Sequence, residues 1–142
     1  MDSKQIGMIA ELKAQYDFMN VGYNILVPQG DYCPYDLVIE KDNKFYKIQV
    51  KSCWSIKNGK MIFDLRSKNY YSKKMYTEEE CQIFYLYCTE NQQSYLYFNT
   101  KDSNTNGITL RLELPKNNQI KNVKMADDYL FTKMISKIDF IV

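Results

Sequence analysis

The sequence has no histidine. That removes Ser-His-Asp and Cys-His catalysis, His-ligated zinc, and the nuclease classes that use imidazole as base. Hydrolytic chemistry in this chain must rest on carboxylates, lysine, tyrosine or a hard metal ion. The four cysteines, Cys33, Cys53, Cys81 and Cys88, include no C-x-x-C pair, which argues against zinc or thioredoxin-like sites and for free thiols. No apolar run approaches the ~20 residues of a membrane span, and "MDSKQIGMIAELK" has no signal-peptide core. A cytoplasmic location is therefore expected. There is also no internal repeat, low-complexity linker or second boundary, so a single domain over residues 1–142 is expected.

What is present is ordinary in bulk and uneven in detail. Hydrophobic residues make up 45% and charged residues 25%, as in a soluble globular fold. The net charge of +2 hides a segregation: residues 41–76 carry ten basic and two acidic side chains, while residues 1–40 carry two basic and six acidic. A block of that sign with Tyr and Trp interleaved suits a polyanion, and on charge alone a solvated lysine-rich hairpin fits equally well. The residues best placed to meet a polyanion are Lys57, Lys60, Arg66, Lys68, Lys73 and Lys74, joined by Arg111, Lys116, Lys121 and Lys124.

Periodicity predicts a helix over residues 3–21, with Ser3 as N-cap and Gly22 just past its end. Its apolar stripe is Met8, Ile9, Leu12, Tyr16 and Met19, with Glu11 on the border facing inward. Strands are predicted at residues 23–28, 35–40, 44–51, 60–65, 81–89 and 94–98, with a short edge strand at 108–114. The continuous apolar run 81–89 reads as a central strand that pairs with 94–98. Residues 125–138 have the spacing of a final helix. The fold class is α/β, a sheet with helices on its faces.

Residues 34–52, "PYDLVIEKDNKFYKIQVKS", set polar groups into two apolar strands. Side chains alternate along a strand, so Gln49 and Lys51 share one face while Val50 packs on the other. If 35–40 and 44–51 pair around residues 41–43, Gln49 and Lys51 land near Asp36, and the first helix lays Glu11 over the same corner. Two carboxylates, an amide oxygen and an ammonium around one point suit Mg²⁺ and phosphodiester chemistry. Taken singly, each residue has a plainer use: Asp36 capping a turn, Gln49 satisfying backbone groups, Lys51 lying along an edge strand. Jointly, in a chain without histidine, they favour the metal site.

These residues resemble the PD-(D/E)xK nuclease superfamily: Asp36 after "CPY", "Gln49-Val50-Lys51" thirteen positions later, and Glu11 on the first helix in "GMIAELKA". Gln49 stands where that superfamily usually has an acid, and Tyr35 splits its Pro-Asp pair. The order of elements is most similar to the group I intron-encoded homing endonucleases of the superfamily. The likeness continues through "FYLYCTENQQSYLYF" and "LRLELPKNNQIKNVKMADDYL". Other homing classes do not fit: there is no LAGLIDADG helix, HNH and His-Cys sites need histidine, and "VGYNI" is no GIY-YIG pair.

The resemblance implies a restriction-endonuclease-like core with a central mixed β-sheet. It implies a Mg²⁺-dependent site-specific endonuclease on double-stranded DNA, with Glu11, Asp36, Gln49 and Lys51 catalytic. Asp36 would ligate the metal, with the Val50 carbonyl, the Gln49 side chain and Glu11 around it. A structure-specific nuclease such as a Holliday-junction resolvase and a non-catalytic DNA-binding module are the alternatives. Cutting both strands asks for at least a homo-dimer, and the resemblance implies a tetramer. No residue pattern shows the assembly, although the tyrosine-rich C-terminal half could supply apolar contact surface.

Overall fold

Asp42 and Asn43 take φ values of 53° and 64°. Two left-handed residues in a row are what a two-residue type I′ hairpin loop requires, and Asp and Asn tolerate them better than most side chains. Residues 37–41 and 44–53 are thereby joined in antiparallel register, with Leu37 opposite Ile48 and Lys41 opposite Lys44.

The structure, a computed structural model, describes residues 1–68 and 73–141, with Lys68 and Lys73 described by backbone alone. In chain order it runs through helix α1 (Ser3–Asn20) and strands β1 (Asn24–Leu26), β2 (Leu37–Lys41), β3 (Lys44–Cys53), β4 (Lys60–Asp64) and β5 (Ser67–Lys68). Strands β6 (Lys73–Lys74), β7 (Ile83–Cys88), β8 (Gln93–Phe98) and β9 (Gly107–Arg111) follow, then short helical turns that include α2 (Phe131–Met134). The central sheet has the order β1-β2-β3-β7-β8, with β3 and β7 parallel and the other neighbours antiparallel. This is a mixed α/β fold.

Strand β7 is buried along its whole length, as its unbroken apolar run predicts for an interior strand. Ile83, Tyr85 and Tyr87 pack on one side with Ala10, Ala14 and Phe18 of α1 and with Phe131, Met134 and Ile138. Phe84, Leu86 and Cys88 pack on the other side beneath Met61, Phe63, Ile108 and Leu110. Those last four belong to a separate β4–β9 ribbon, so residues 107–111 are not an edge of the main sheet. Each fully buried large apolar side chain contributes about 2 kcal/mol.

Four more sequence expectations are corrected here. Asp2, not Ser3, caps α1: its carboxylate accepts from the Gln5 N–H at 2.9 Å, and Gln5 Oε1 accepts from the Asp2 N–H at 2.9 Å. The buried face of α1 is Ile6, Ala10, Ala14 and Phe18, while Met8, Ile9, Leu12, Tyr16 and Met19 are exposed. The two rows lie about 200° apart on the helix. Alanine lets the helix backbone approach the sheet closely, so the row of smaller residues faces inward and the row of larger ones faces out. Residues 125–138 do not form one helix. Leu130 is extended and bridges Tyr95 of β8, which breaks the segment into a 3-10 turn (Ala126–Tyr129), α2 and a second 3-10 turn (Ile135–Phe140). In the tyrosine-rich C-terminal half, Tyr85, Tyr87, Tyr95 and Tyr97 are buried in the core rather than offered as contact surface.

Candidate active site

The β2–β3 ladder continues one residue beyond β2, where the Asp36 N–H donates to Ile48 O at 2.8 Å. Asp36 is thereby set beside Gln49 and Val50, at the end of the hairpin away from its turn. Its side chain closes onto β3: Oδ2 accepts from the Val50 N–H at 2.8 Å. Asp36 is thus bonded across the sheet and is not a turn cap.

Alternation along β3 does the rest. Val50 packs into the core beneath α1, and Gln49 and Lys51 reach the opposite face. There Gln49 Nε2 donates to Tyr76 Oη at 3.0 Å and to Pro34 O at 3.2 Å. Lys51 Nζ donates to Arg66 O at 2.8 Å and sits 5.5 Å from the centroid of the Tyr76 ring. Lys51 lies on the middle strand of the sheet, not on an edge.

Glu11 approaches from α1, which lies against β3. As a residue it stays exposed, yet its carboxyl shares a cleft of about 160 Å³ with Asp36, Asp31 and Cys33. Asp36 also borders a larger cleft of about 420 Å³ lined by Gln49, Ser67, Lys74, Tyr76 and Glu80. Burial raises the pKa of Asp36, opposed in part by the Val50 N–H and the charge on Lys51. Burial, then repulsion from Asp36, raises that of Glu11. Two partly buried carboxyls that repel one another would both be relieved by a cation between them. Among the described residues no three His, Cys, Asp or Glu side chains gather around a metal-sized point. The oxygen set for a hard ion is therefore two carboxylates completed by neutral oxygens, and the Gln49 side-chain oxygen accepts from no described residue.

Two residues that sequence reasoning missed stand at this site. Ser67 Oγ is a buried hydroxyl with no hydrogen-bond partner among the described residues, and Ser67 lines the larger cleft. Tyr76 is buried and touches both Gln49 and Lys51. Neither carries a signal in spacing or motif, because both arrive from the connection between β4 and β7.

The basic residues divide into two groups. On the β4–β9 ribbon Lys57 bridges Lys60, Lys60 pairs with Arg111, and the Arg111 N–H donates to Lys124 O at 2.9 Å. Arg111 also shares a cleft with Lys116, and Lys121 is exposed nearby in sequence. Beside the site, the Arg66 guanidinium is forked onto Asp64, with both contacts at 3.1 Å, and Lys74 Nζ lies 3.3 Å from Glu80 Oε2. The side chains of Lys68 and Lys73, and residues 69–72 of the basic block, lie outside the described residues.

Helix α1 thus carries Glu11, and the β2–β3 hairpin carries Asp36, Gln49 and Lys51. The chain belongs to the PD-(D/E)XK endonuclease family, whose model matches residues 1–132. Among solved structures it is similar to that of a bacterial homing endonuclease, I-Ssp6803I. The two are 25% identical, the match covers 96% of this chain and 93% of that one, and the TM-score is 0.73. No curated protein matches. Family and neighbour together place the chain among nucleases. Among the described residues no helix is long and apolar enough to cross a membrane.

Proposed function

We propose that this protein is a Mg²⁺-dependent endonuclease that hydrolyses both strands of double-stranded DNA at a long specific site, working as a single-domain homo-oligomer. The observation that carries the reading is the convergence of Asp36, Gln49 and Lys51 at one end of the β2–β3 hairpin, with Glu11 sharing a cleft with Asp36. Asp36 and Glu11 would hold the ion, with Gln49 Oε1 and the Val50 carbonyl completing its shell. When bound, such an ion polarises the phosphodiester and lowers the pKa of a water. Lys51, held on Arg66 O and the Tyr76 face, supplies a fixed positive charge for the charge that develops on phosphorus. Ser67 Oγ offers a donor, from the same cleft, to a phosphate oxygen. The site-specific, homing character follows the likeness to the homing endonuclease I-Ssp6803I, while the Mg²⁺ requirement and the intron-encoded origin follow the oxygen donors at the site and the sequence resemblance.

One site cuts one strand, so cutting both requires at least a dimer, and the family resemblance favours a tetramer. With Tyr85, Tyr87, Tyr95 and Tyr97 buried, the surface we assign to a second copy is the outer row of α1, where Met8, Leu12, Tyr16 and Met19 are 59–65% exposed.

The test is cleavage in Mg²⁺ of a randomised plasmid library, a four-way junction and a linear duplex, each repeated in excess EDTA. Double-strand cuts recovered at one recurring sequence, lost in EDTA, are expected. Preferential cutting of the junction would make the protein a resolvase, and binding without any cutting would make it a DNA-binding module.

A further inference from the structure

Gln49 occupies a position where a carboxylate would present oxygen whichever way it turned. An amide has two unlike ends, and only one can face a cation. Something must therefore hold the amide in one orientation. Pro34 O can only accept, so the amino end of Gln49 faces it at 3.2 Å, and the same nitrogen donates to Tyr76 Oη at 3.0 Å. These two contacts leave Gln49 Oε1 as the end directed elsewhere.

Tyr76 is itself firmly placed. It is 7% exposed, its ring meets Phe84 edge-on at 5.9 Å, and Phe84 is the cross-strand partner of Gln49. Its backbone carbonyl accepts from Asn99 Nδ2 at 3.1 Å and from Asn104 Nδ2 at 2.8 Å. The face of the same ring lies 5.5 Å from Lys51 Nζ, within cation–π range. One side chain thus touches the amide and the ammonium together, and does so from a rigid seat.

We propose that Tyr76 is a positioning residue: its hydroxyl, together with Pro34 O, holds the Gln49 amide with Oε1 toward the site, and its ring holds the Lys51 ammonium in place. This rests on the nuclease reading above. The hydroxyl and the ring act on different partners, so two substitutions separate them. Tyr76→Phe removes one of the two bonds that hold the amide, leaving Pro34 O, and keeps the ring; Tyr76→Leu removes the ring as well.

The experiment has one readout without metal or DNA. The Gln49 side-chain amide is followed by ¹H–¹⁵N NMR in EDTA, assigned by its disappearance in Gln49→Ala. In Tyr76→Phe its two proton signals are expected to move toward free-glutamine positions and to exchange faster with water. In single-turnover cleavage, Tyr76→Phe is expected to lose ~10-fold, the scale of one ordinary hydrogen bond, with Ca²⁺-supported DNA binding and the melting curve close to the parent's. Added to Gln49→Ala, Tyr76→Phe should cost nothing further, because the residue it acts through is gone. Tyr76→Leu should lose roughly tenfold more than Phe, a difference that should vanish in Lys51→Ala. Unmoved amide signals with parental cleavage, or a Phe loss that persists in full on Gln49→Ala, would overturn the proposal. The nuclease reading fails differently: there, Asp36→Asn and Gln49→Ala themselves cleave like the parent.

Discussion

Asp36 Oδ2 accepts a hydrogen bond from the Val50 N–H at 2.8 Å, across fourteen positions of sequence. Through that contact the carboxylate is fixed to the strand that carries Gln49 and Lys51, so one short hairpin determines the spacing of three of the four site residues. It does not offset the cost of burying the charge, and the pKa of Asp36 stays raised.

A raised carboxyl pKa means that the folded chain binds its proton more tightly than the unfolded chain does. Stability contributed by the protonated form is complete below the ordinary value of 3.8 and is lost as pH rises through the folded value. At neutral pH, without metal, ionised Asp36 therefore weakens the fold. Asp36→Asn is expected to abolish cleavage in Mg²⁺ and to raise the melting temperature in EDTA at neutral pH, with the gain narrowing as pH falls toward 3.8. Thermal scans across pH, beside a cleavage assay, check both halves. A variant that melts below the parent at neutral pH contradicts the electrostatic account.

Ser67 makes a comparable trade in a neutral group. A buried hydroxyl without a partner costs on the order of 1 kcal/mol. Ser67→Ala should therefore stabilise the free protein while slowing cleavage, as expected where a site sacrifices stability for function. Denaturant titration gives the first quantity and single-turnover rates the second. Slower cleavage with no gain in stability would mean that the hydroxyl has a partner in the free protein.

Much of the hairpin and of the grouping of its polar residues was legible in the sequence. The Asp-Asn loop, the apolar flanks and the two-residue period together fix which of Gln49, Val50 and Lys51 share a face. The buried face of α1 was not legible, because Met8, Leu12 and Tyr16 repeat at the same spacing as Ala10, Ala14 and Phe18. Hydrophobicity favours the first row, and only the close approach to the sheet selects the second. The end of the chain misled for a related reason. A pattern of apolar spacing does not reveal that Leu130 will join a strand edge. Ser67 and Tyr76 belong to the site only through tertiary packing.

The exposed row on α1 gives a test of assembly. Leu12 and Tyr16 are 59% and 61% exposed, so replacing them should change folding stability by less than about 0.5 kcal/mol. Leu12→Glu combined with Tyr16→Glu is expected to shift the protein to monomer in sedimentation and to turn double-strand cutting into nicking. An unchanged sedimentation coefficient would place the contact between copies elsewhere.

The ribbon carrying Lys57, Lys60 and Arg111 should bind phosphates of the DNA backbone. Replacing Lys57 and Lys60 with alanine is expected to weaken DNA binding for all sequences alike. The slope of log affinity against log salt should fall by about 0.9 for each phosphate that is no longer neutralised. Arg66 should behave differently, since its guanidinium is already forked onto Asp64. An unaltered salt slope in the double-lysine variant would mark the ribbon as a solvated face.

Lys51 separates catalysis from binding most directly. Its ammonium donates to Arg66 O and lies over the Tyr76 ring, so it is fixed before any substrate arrives. A preorganised charge of this kind acts on the transition state more than on the ground-state complex. Lys51→Met keeps an apolar stem against Tyr76 and removes the charge together with the bond to Arg66 O. It is expected to lose ~10²-fold or more in single-turnover cleavage, the scale of a lost charge stabiliser. Target binding in Ca²⁺ should change far less. Lys51→Arg should restore the rate only in part, because a planar guanidinium presents its donors in a wider fork and does not release a proton. A purely structural lysine gives the opposite pattern. Losing its bond to Arg66 O would lower stability by about 1 kcal/mol and loosen the 64–68 turn, and binding and cleavage would fall together. The measurement is a cleavage time course beside a Ca²⁺ titration and a melting curve on the same preparation. Cleavage within a few-fold of the parent would remove Lys51 from the chemistry, and with it the role assigned to the charge beside Asp36.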